Sequence, residues 1–334
     1  MSQPQAWRIL ADDLTGALDS AAAFTGAQQV PVFLQAPDSP APVQAWATGS
    51  RDMPSTALPG VLQACLPWFT APGTQAFKKI DSLLRGNTFA EVAWLLRHGG
   101  FDGVVFAPAY PAQGRLTQGG QHHVGPDAID LRAAFAAVGL TVRSGDVPDA
   151  QGGVLVPDVL SDADLDRLAS HAAPRWLWCG SAGLAWALAR QGQHAPRHAA
   201  PPTPGLTHTI TASRHPVVRG QLGSIDLHDL SHPQPLPVAE ARLLLQQRAQ
   251  TLVHTLPRPD NLVVVGGDTL LALCQAAGVH SLQACASPRS GWGRATLLGG
   301  PWHGVACYSR SGAFGAPDDL SALLATLTAK EISP

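Results

Sequence analysis

Two adjacent carboxylates, Asp12 and Asp13, follow a largely apolar run over 7–10 and precede an alanine-rich stretch over 14–24. The pattern predicts a β-strand that ends at the carboxylates and a helix that begins after them. Acids at a strand's carboxyl end can bind a metal ion or a sugar hydroxyl, or accept a proton, whereas an Asp before a helix often only caps it. Because neighbouring side chains at such a bend point apart, we expect one acid to cap and the other to act, with Asp12 preferred for chemistry.

A second polar cluster spans positions 78–87, with the sequence KKIDSLLRGN. The chain has only three lysines and two of them are adjacent here, which makes random surface charge a poor explanation. Lys79 and Arg85 can pair with the carboxylate of a ligand, and Asp81 and Asn87 can hold its hydroxyls. The alternative is a surface turn in which Asn87 caps the next helix.

A loop rich in turn residues occupies positions 108–120 after a predicted strand at 103–107, and Arg115 adds a cation to it. The adjacent His122 and His123 lack a third ligand at metal spacing. We therefore predict no metal site from protein side chains alone.

Three glycine-punctuated loops follow predicted strands, at 180–183, 266–269 and 311–315. Junctions of this kind present free backbone N–H groups and the positive end of a helix dipole to phosphate. None has the spacing of a P-loop or a complete dinucleotide fingerprint, and each alone could be an ordinary tight turn. Together they favour an extended polyanion as ligand.

The overall composition limits the kinds of molecule that the protein can bind. The chain has 334 residues, 45% hydrophobic content, a net charge of −2 and a pI near 6.7, so it carries no basic field for nucleic acid or a membrane surface. Charged residues make up only 14%, which leaves room for broad buried surfaces, a homodimer interface included. Five scattered cysteines without a C-x-x-C pair, and no signal peptide or bilayer-spanning run, predict a cytoplasmic protein that acts on a small molecule.

Short β-branched runs alternate with Ala/Leu-rich stretches, which predicts βαβ units and an α/β fold. We expect two domains, each on a mainly parallel sheet flanked by helices, at 1–192 and 206–334, joined by a Pro/Gly-rich linker at 193–205, with the active site in the cleft between them. Strands are predicted at 7–10, 30–34, 43–48, 76–80, 103–107, 153–156, 176–179, 206–211, 261–265 and 304–308. Helices are predicted at 14–24, 88–97, 128–137, 162–171, 183–190, 239–255 and 269–277.

Six strings in chain order resemble the four-carbon acid sugar kinase family, over most of the chain. They are ADDLTGALD (11–19), KKIDSLLRGN (78–87), PAYPAQGRLTQGG (108–120), CGSAGLA (179–185), VVVGGDT (263–269) and RSGAFG (310–315). The resemblance implies an N-terminal sugar-acid-binding domain and a C-terminal nucleotide-binding domain. It also implies ATP-dependent phosphorylation, with Mg²⁺, of threonate, erythronate or their 3-oxo forms.

The resemblance and the local chemistry together give the expected site. The predicted catalytic residues are Asp12 and Asp81. The predicted substrate-binding residues are Asp13, Arg51, Lys79, Ser82, Arg85 and Asn87. The predicted ATP-binding residues are Ser213, Gly266, Gly267, Asp268, Thr269, Ser311, Gly312 and Gly315.

In this scheme Lys79 and Arg85 anchor the acid's carboxylate, and a carboxylate accepts the hydroxyl proton. Asp12 is the first choice for that base and Asp81 the second. Asp268 is the alternative, because an Asp beside glycine amides at a helix start can act as base in sugar kinases of other folds.

Some positions depart from the family's pattern. Arg310 stands where Lys is usual, Ala212-Ser213 where Gly-Ser is usual, and 287–291 where a Glu-containing Pro-Gly loop is usual; the C-terminal half is also short. Because of these departures, the alternative function is a binding or regulatory protein that senses a sugar acid without phosphorylating it. An NAD-dependent oxidoreductase is a third reading, supported only by the sheet and the glycine-rich turns.

Overall fold

The computed structural model describes residues 6–26, 28–143, 145, 147–171, 175–196, 199–223, 225–287, 291–312 and 315–328. The helices are α1 (Leu14–Ala23), α2 (Leu58–Phe69), α3 (Thr88–His98), α4 (Leu131–Ala137), α5 (Asp162–Ala169), α6 (Ala182–Gln191), α7 (Pro216–Leu222), α8 (Val238–Thr255), α9 (Gly267–Ala276) and α10 (Asp319–Thr328). The strands of the N-terminal half are β1 (Ala6–Ala11), β2 (Val30–Phe33), β3 (Val43–Ala47), β4 (Thr74–Lys79), β5 (Gly103–Ala107), β6 (Arg115–Gln118), β7 (Gln121–Val124), β8 (Asp127–Asp130), β9 (Val142–Arg143), β10 (Gly153–Leu155) and β11 (Trp176–Gly180). Those of the C-terminal half are β12 (Thr207–Thr211), β13 (His228–Asp229), β14 (Asn261–Val265), β15 (Ser281–Cys285), β16 (Gly293–Leu298) and β17 (Ala306–Arg310).

The predicted α/β fold is confirmed, and its sheet is continuous. Within the described residues, fourteen strands pair in the order β13-β12-β14-β17-β16-β15-β2-β3-β1-β4-β11-β5-β10-β9, and β6, β7 and β8 form a small antiparallel sheet. The eight strands from β2 to β9 in this order are parallel, as are β13, β12, β14 and β17. Two antiparallel strands, β15 and β16, join the two parallel groups, because β15 pairs with β2 from Ser281↔Phe33 to Ala284↔Val30. The two halves therefore share hydrogen bonds across a seam.

Strand directions place the carboxyl ends of β1 and β14 at opposite edges of an ideal flat sheet. Six strand-to-strand steps separate the two strands. Each step turns the strand direction by roughly 20–25°, or about 120–150° over six steps, which brings those two ends to the same side of the molecule. Helix α1 lies inside this curl: all ten of its residues are buried, and it packs against β16, β17 and α9 as well as its own half.

Local sequence explains the central elements. Strand β14 reads Asn-Leu-Val-Val-Val and all five residues are buried, as expected for a parallel strand covered on both faces. Helix α1 starts at Leu14 because the Asp13 carboxylate accepts the Gly16 N–H, and its small side chains allow close packing within the curl.

Each predicted strand and helix corresponds to an observed element, with one internal correction. Residues 128–130 belong to β8 rather than to the helix predicted from 128 onward, because β8 pairs with β7 and the Asp130 carboxylate caps the N–H of Ala133 at 3.0 Å. The sequence analysis missed helices α2, α7 and α10, the small sheet of β6, β7 and β8, the short strands β9 and β13, and the joining strands β15 and β16.

The start of the predicted linker packs against the N-terminal half, whereas Ala200, Thr203 and Gly205 hydrogen-bond to the C-terminal half. The Gly26 N–H donates to the carbonyl oxygen of His194 at 2.6 Å, and the His194 ring lies 5.8 Å from that of Phe24. The domain boundaries on either side of this segment stay a prediction. Among the described helices, none combines the length and the apolar character needed to cross a bilayer.

Candidate active site

Asp12 and Asp13 lie where β1 gives way to α1, and Arg51 binds both carboxylates. Its Nε is 2.8 Å from Oδ2 of Asp12, and its Nη2 is 2.8 Å from Oδ1 of Asp13. Asp13 also accepts hydrogen bonds from the Thr15 hydroxyl at 2.7 Å and the Gly16 N–H at 3.0 Å. Burial alone would raise the pKa of Asp13, but the Arg51 charge holds it below its ordinary value.

Asn87 positions the loop that carries Arg51. Its amide nitrogen lies 2.9, 3.2 and 2.8 Å from the carbonyl oxygens of Ser50, Arg51 and Met53. Gly86 has a φ of +70°, and a side chain there would overlap the Arg51 carbonyl. Asn87 was expected to bind the ligand; the structure instead commits its amide group to backbone, outside both cavities described below.

The adjacent lysines of β4 point to opposite faces of the sheet, as strand alternation requires. The Lys78 ammonium is fully buried 2.5 Å from Oε2 of Glu91, whose other oxygen accepts from the Ser50 hydroxyl at 2.8 Å. The Lys79 ammonium turns toward α1, donates to the carbonyl of Ile80 at 2.8 Å, and lies against Gly16, where a Cβ would be 2.6 Å from Nζ. Only Lys79 therefore reaches the site.

The loop after β4 carries a compact charge network. Arg85 pairs with the Asp81 carboxylate, Arg115 donates to the Ser82 hydroxyl, and His122 Nε2 lies 2.8 Å from the Ser82 carbonyl oxygen. Burial alone would raise the pKa of Asp81, but Arg51 and Arg85 outweigh it and hold the pKa well below the ordinary value. His122, which lies on β7, is a buried residue that hydrogen-bonds to this loop.

In the C-terminal half, the start of α9 forms the predicted glycine junction. Gly266 has a φ of +122°, a conformation that glycine adopts far more readily than other residues. The Thr269 hydroxyl accepts the Ala212 N–H at 3.1 Å and so ties the junction to the end of β12. A Cβ at Gly267 would lie 2.6 Å from Oδ2 of Asp13, so the two halves touch here through the bare backbone of a glycine.

Ser213 and Gly312 meet on the other side of this junction. A Cβ at Gly312 would lie 3.0 Å from that of Ser213, and the Ser213 hydroxyl accepts the His215 N–H at 3.3 Å. The absence of a side chain at Gly312 allows this close approach of the two loops.

Arg310 is buried at the end of β17. Its guanidinium contacts the Gln221 amide oxygen, lies 3.4 Å from the Asp319 carboxylate, and stacks 4.8 Å from the centre of the Trp292 ring. Gly315 lies against this guanidinium and is not among the described residues that line either cavity, so its expected ATP contact has no support in the geometry. Residues 288–290 and 313–314, which belong to two of the loops noted in the sequence, lie outside the described residues.

Two neighbouring cavities lie at the junction of the halves. The larger has a volume of about 750 Å³ and the smaller about 30 Å³, and Asp13, Thr15, Arg51 and Ser311 line both. The predicted residues on the larger cavity are Asp13, Arg51, Arg85, Ser213, Gly266, Gly267, Asp268, Thr269, Ser311 and Gly312. The predicted residues on the smaller cavity are Asp13, Arg51, Lys79, Asp81, Ser82 and Ser311. The structure thus brings most of the expected sugar-acid residues and most of the expected nucleotide residues together.

The two N-terminal acids divide their tasks differently from the expectation. Asp13 both caps α1 and faces the two cavities. Asp12 is buried beneath Arg51, which donates to both of its oxygens at 2.8 and 3.1 Å, and it lines neither cavity. Its preferred role as base therefore has no geometric support.

Asp268, like Asp52, presents to the larger cavity a carboxylate that no described residue binds. Within the described part of the chain Asp268 has no hydrogen-bond or ion-pair partner, and its side chain is open to the cavity. The pKa of Asp268 is raised above its ordinary value, first by desolvation of its carboxylate and then by repulsion from the Asp52 and Asp13 carboxylates.

Several site residues were missed by the sequence reading. Asp19, Tyr110 and Ser181 line the smaller cavity, and Arg214 and Arg242 the larger. Asp19 could have been found from its spacing, because it lies one helical turn after Gly16 on the face that Lys79 approaches. The two arginines carry no motif.

Fold and site together define an α/β protein with a ligand cavity at the seam of two parallel half-sheets. Comparison with known proteins agrees. Residues 7–137 match the sugar-binding N-terminal domain family. The chain is 38% identical over 228 residues to a D-threonate kinase of Cupriavidus necator, covering 55% of this chain and 54% of that protein. It is 29% identical over 262 residues to a D-threonate kinase of Bordetella bronchiseptica, covering 65% and 61%.

The chain thus spans between half and two thirds of the length of these two relatives. A solved structure of a Salmonella typhimurium LT2 protein shares the fold across nearly the whole chain, with a TM-score of 0.73 at 18% identity, covering 96% of this chain and 98% of that one. Residues 7–137 therefore match a family of sugar-binding domains, and the chain is similar to two D-threonate kinases over part of their length.

Proposed function

We propose that this protein is an ATP-dependent kinase that phosphorylates a hydroxyl group of a four-carbon sugar acid of the threonate, erythronate or 3-oxotetronate type. The observation that carries the proposal is the contact between the halves at Gly267 and Asp13. It sets the start of a glycine-bounded helix, suited to phosphate, directly against the acids and cations of the N-terminal half. A site for phosphoryl transfer needs this juxtaposition of a phosphate cradle and an acceptor pocket.

The N-terminal side suits the acid. Lys79 and Arg85 supply positive charge, and Asp81 keeps Arg85 in place. Arg51 is already committed to Asp12 and Asp13, so it fixes the geometry of the site more than it binds the ligand.

The C-terminal side suits a nucleotide. The larger cavity, about 750 Å³, falls within the range of small-molecule sites. Gly266, Gly267 and Gly312 line it, and so do the apolar residues Leu236, Leu244, Leu245 and Leu271. A phosphate chain fits the glycines and an adenine ring the leucines.

Mg²⁺ fits the same arrangement. The described residues include no cluster of three or more His, Cys, Asp or Glu side chains able to hold a metal ion. Mg²⁺ typically needs only one or two carboxylates when phosphates supply the other oxygens, and Asp13 and Asp52 face this cavity. When bound, ATP supplies the phosphoryl group and Mg²⁺ neutralises charge that develops on it.

The protein's own part in the reaction is positioning and proton transfer. We assign the base to Asp268, because its carboxylate is unpaired among the described residues and its raised pKa favours proton acceptance over that of Asp13 or Asp81. Asp13, held by Thr15 and Arg51, orients the acceptor hydroxyl.

All five cysteines are free, which is consistent with a reducing compartment such as the cytoplasm. A homodimer stays a prediction.

The test is ADP release from Mg²⁺-ATP in the presence of each threonate, erythronate and 3-oxotetronate stereoisomer. We expect turnover with at least one acid and a fall in kcat of about 10²-fold or more in Asp268→Asn, with a smaller change in KM. Asp318→Asn, an exposed acid of the same half outside the cavities, is the matched control. Stabilisation by an acid without any nucleotide binding or turnover would contradict the kinase and favour a sensor.

A further inference from the structure

One buried carboxyl group of the site has no task in the scheme above. Asp19 lies in the middle of α1, only 7% of its surface is exposed, and it lines the smaller cavity. Within the described part of the chain, no hydrogen bond or ion pair joins it to another residue. In contrast, arginine side chains bind Asp12, Asp13 and Asp81.

The place of Asp19 follows from the helix. Gly16 and Asp19 are three residues apart and so lie on one face of α1. Because Gly16 has no side chain, the Lys79 ammonium can approach this face, and its charge partly offsets that of Asp19. The hydrogen bond of Lys79 goes to the Ile80 carbonyl, which leaves the Asp19 oxygens available to a ligand.

A structural role does not explain this residue. Asp is a weak helix former, and its carboxylate neither caps α1 nor supports a loop. A buried polar group without a partner costs stability, and the rest of α1 is packed with alanine and leucine. Such a group, directed into a cavity, indicates a ligand that completes its hydrogen bonds.

Size and charge define that ligand group. The smaller cavity, about 30 Å³, has room for one or two water-sized groups and not for a whole four-carbon acid. Asp13, Asp19 and Asp81 line it together with Lys79, while Arg51 and Arg310 are engaged by other side chains. A carboxylate of the ligand would meet repulsion from these three acids, whereas a neutral hydroxyl can donate to Asp19.

We propose that Asp19 accepts a hydrogen bond from a chain hydroxyl of the substrate and selects polyhydroxy acids over their deoxy analogues. The inference rests on the proposed function for the identity of the substrate. The carboxylate and the remaining carbons then lie toward the larger cavity, which shares Asp13 and Arg51 with the smaller one. Asp19 is a specificity-determining residue in this arrangement.

The experiment compares a tetronate that the protein binds with the two analogues that lack the C2 or the C3 hydroxyl. Calorimetric binding without nucleotide and kcat/KM with Mg²⁺-ATP are both measured for the wild type, Asp19→Ala and Asp19→Asn. A buried acceptor left unpaired by the missing hydroxyl should lower the affinity of one analogue by about 10-fold to 100-fold in the wild type. In Asp19→Ala the ratio of tetronate affinity to analogue affinity should fall close to one, mainly because the tetronate binds more weakly. Asp19→Asn keeps an acceptor oxygen and should retain part of the preference for the tetronate.

Ser20→Ala is the matched control, because Ser20 is a buried neighbour on α1 that does not line the cavities, and its ratio should equal the wild-type ratio. Equal loss for tetronate and analogue in Asp19→Ala, in a folded variant, would overturn the inference and indicate a structural role. A wild type that binds acids with a ratio unaffected by position 19 would overturn this inference alone. A wild type that binds no tetronate would overturn the proposed function and the inference with it.

Discussion

Replacing Asp19 by Asn should stabilise the protein, and the gain should depend on pH. Burial raises the pKa of Asp19 to about 6, although the Lys79 charge opposes that rise, and the Asp13 carboxylate adds to it. Because the folded state binds this proton more tightly than the unfolded state, the stability contribution is present at low pH. It is lost as pH rises through about 6.

The magnitude follows from the shift. A rise of about two pKa units corresponds to roughly 3 kcal/mol at pH 8, where Asp19 is charged in both states. At pH 4 the same linkage gives only about 0.5 kcal/mol, because the carboxyl is then protonated in the fold and partly protonated in the unfolded chain. An Asn side chain mimics the protonated form, so the variant should exceed the wild type by these amounts.

The assay is urea denaturation of both proteins at pH 4, 6 and 8, without ligand, with m-values compared to confirm equal exposure on unfolding. Ser20→Ala should differ from the wild type by an amount that does not change with pH. A constant difference between Asp19→Asn and the wild type across these pH values would refute the reasoning, since it would mean that Asp19 is not a desolvated carboxyl.

Three further outcomes are expected. Lys78→Met should destabilise the fold by about 3–5 kcal/mol in urea denaturation, because it leaves Glu91 charged and buried without its partner; a loss below 1 kcal/mol would contradict that ion pair. Gly267→Ala should lower kcat by about 10-fold or more, because the new Cβ must displace the Asp13 carboxylate, while Gly220→Ala, which meets nothing within 4 Å, should leave turnover unchanged. Asn87→Ala should raise the KM for the acid and cost about 1–3 kcal/mol, because backbone carbonyls of the arginine-bearing loop lose their donor; a wild-type KM would show that the loop holds its shape alone.

The sequence predicted most of the fold because its parallel strands are short β-branched runs bounded by turns. The five buried residues of β14 show how clear that signal is. Helix α2 was missed because Pro59 and Pro67 interrupt its pattern, although Pro59 lies in the first turn, where no N–H is needed. Strands β15 and β16 carry few β-branched residues, and their antiparallel pairing depends on a distant partner, β2.

The site was predictable in composition but not in orientation. Charge and spacing identified Lys79, Asp81 and the glycine junction, all of which line the cavities. Arg51 binds both Asp12 and Asp13, and no sequence pattern shows which of these two adjacent acids also faces the cavities. Asp19 was overlooked because an Asp inside a helix normally faces solvent, and only the curl of the sheet around α1 buries it.

The seam between β2 and β15 has a consequence for any attempt to divide this chain. A cut within 193–205 would separate the halves in sequence and leave two bare strand edges, one on each fragment, with unpaired N–H and C=O groups. Each edge is a template for the other and also for a second copy of itself. The fragments should therefore associate when mixed and aggregate when made alone, so the parallel groups are not independent modules even though each has its own helices.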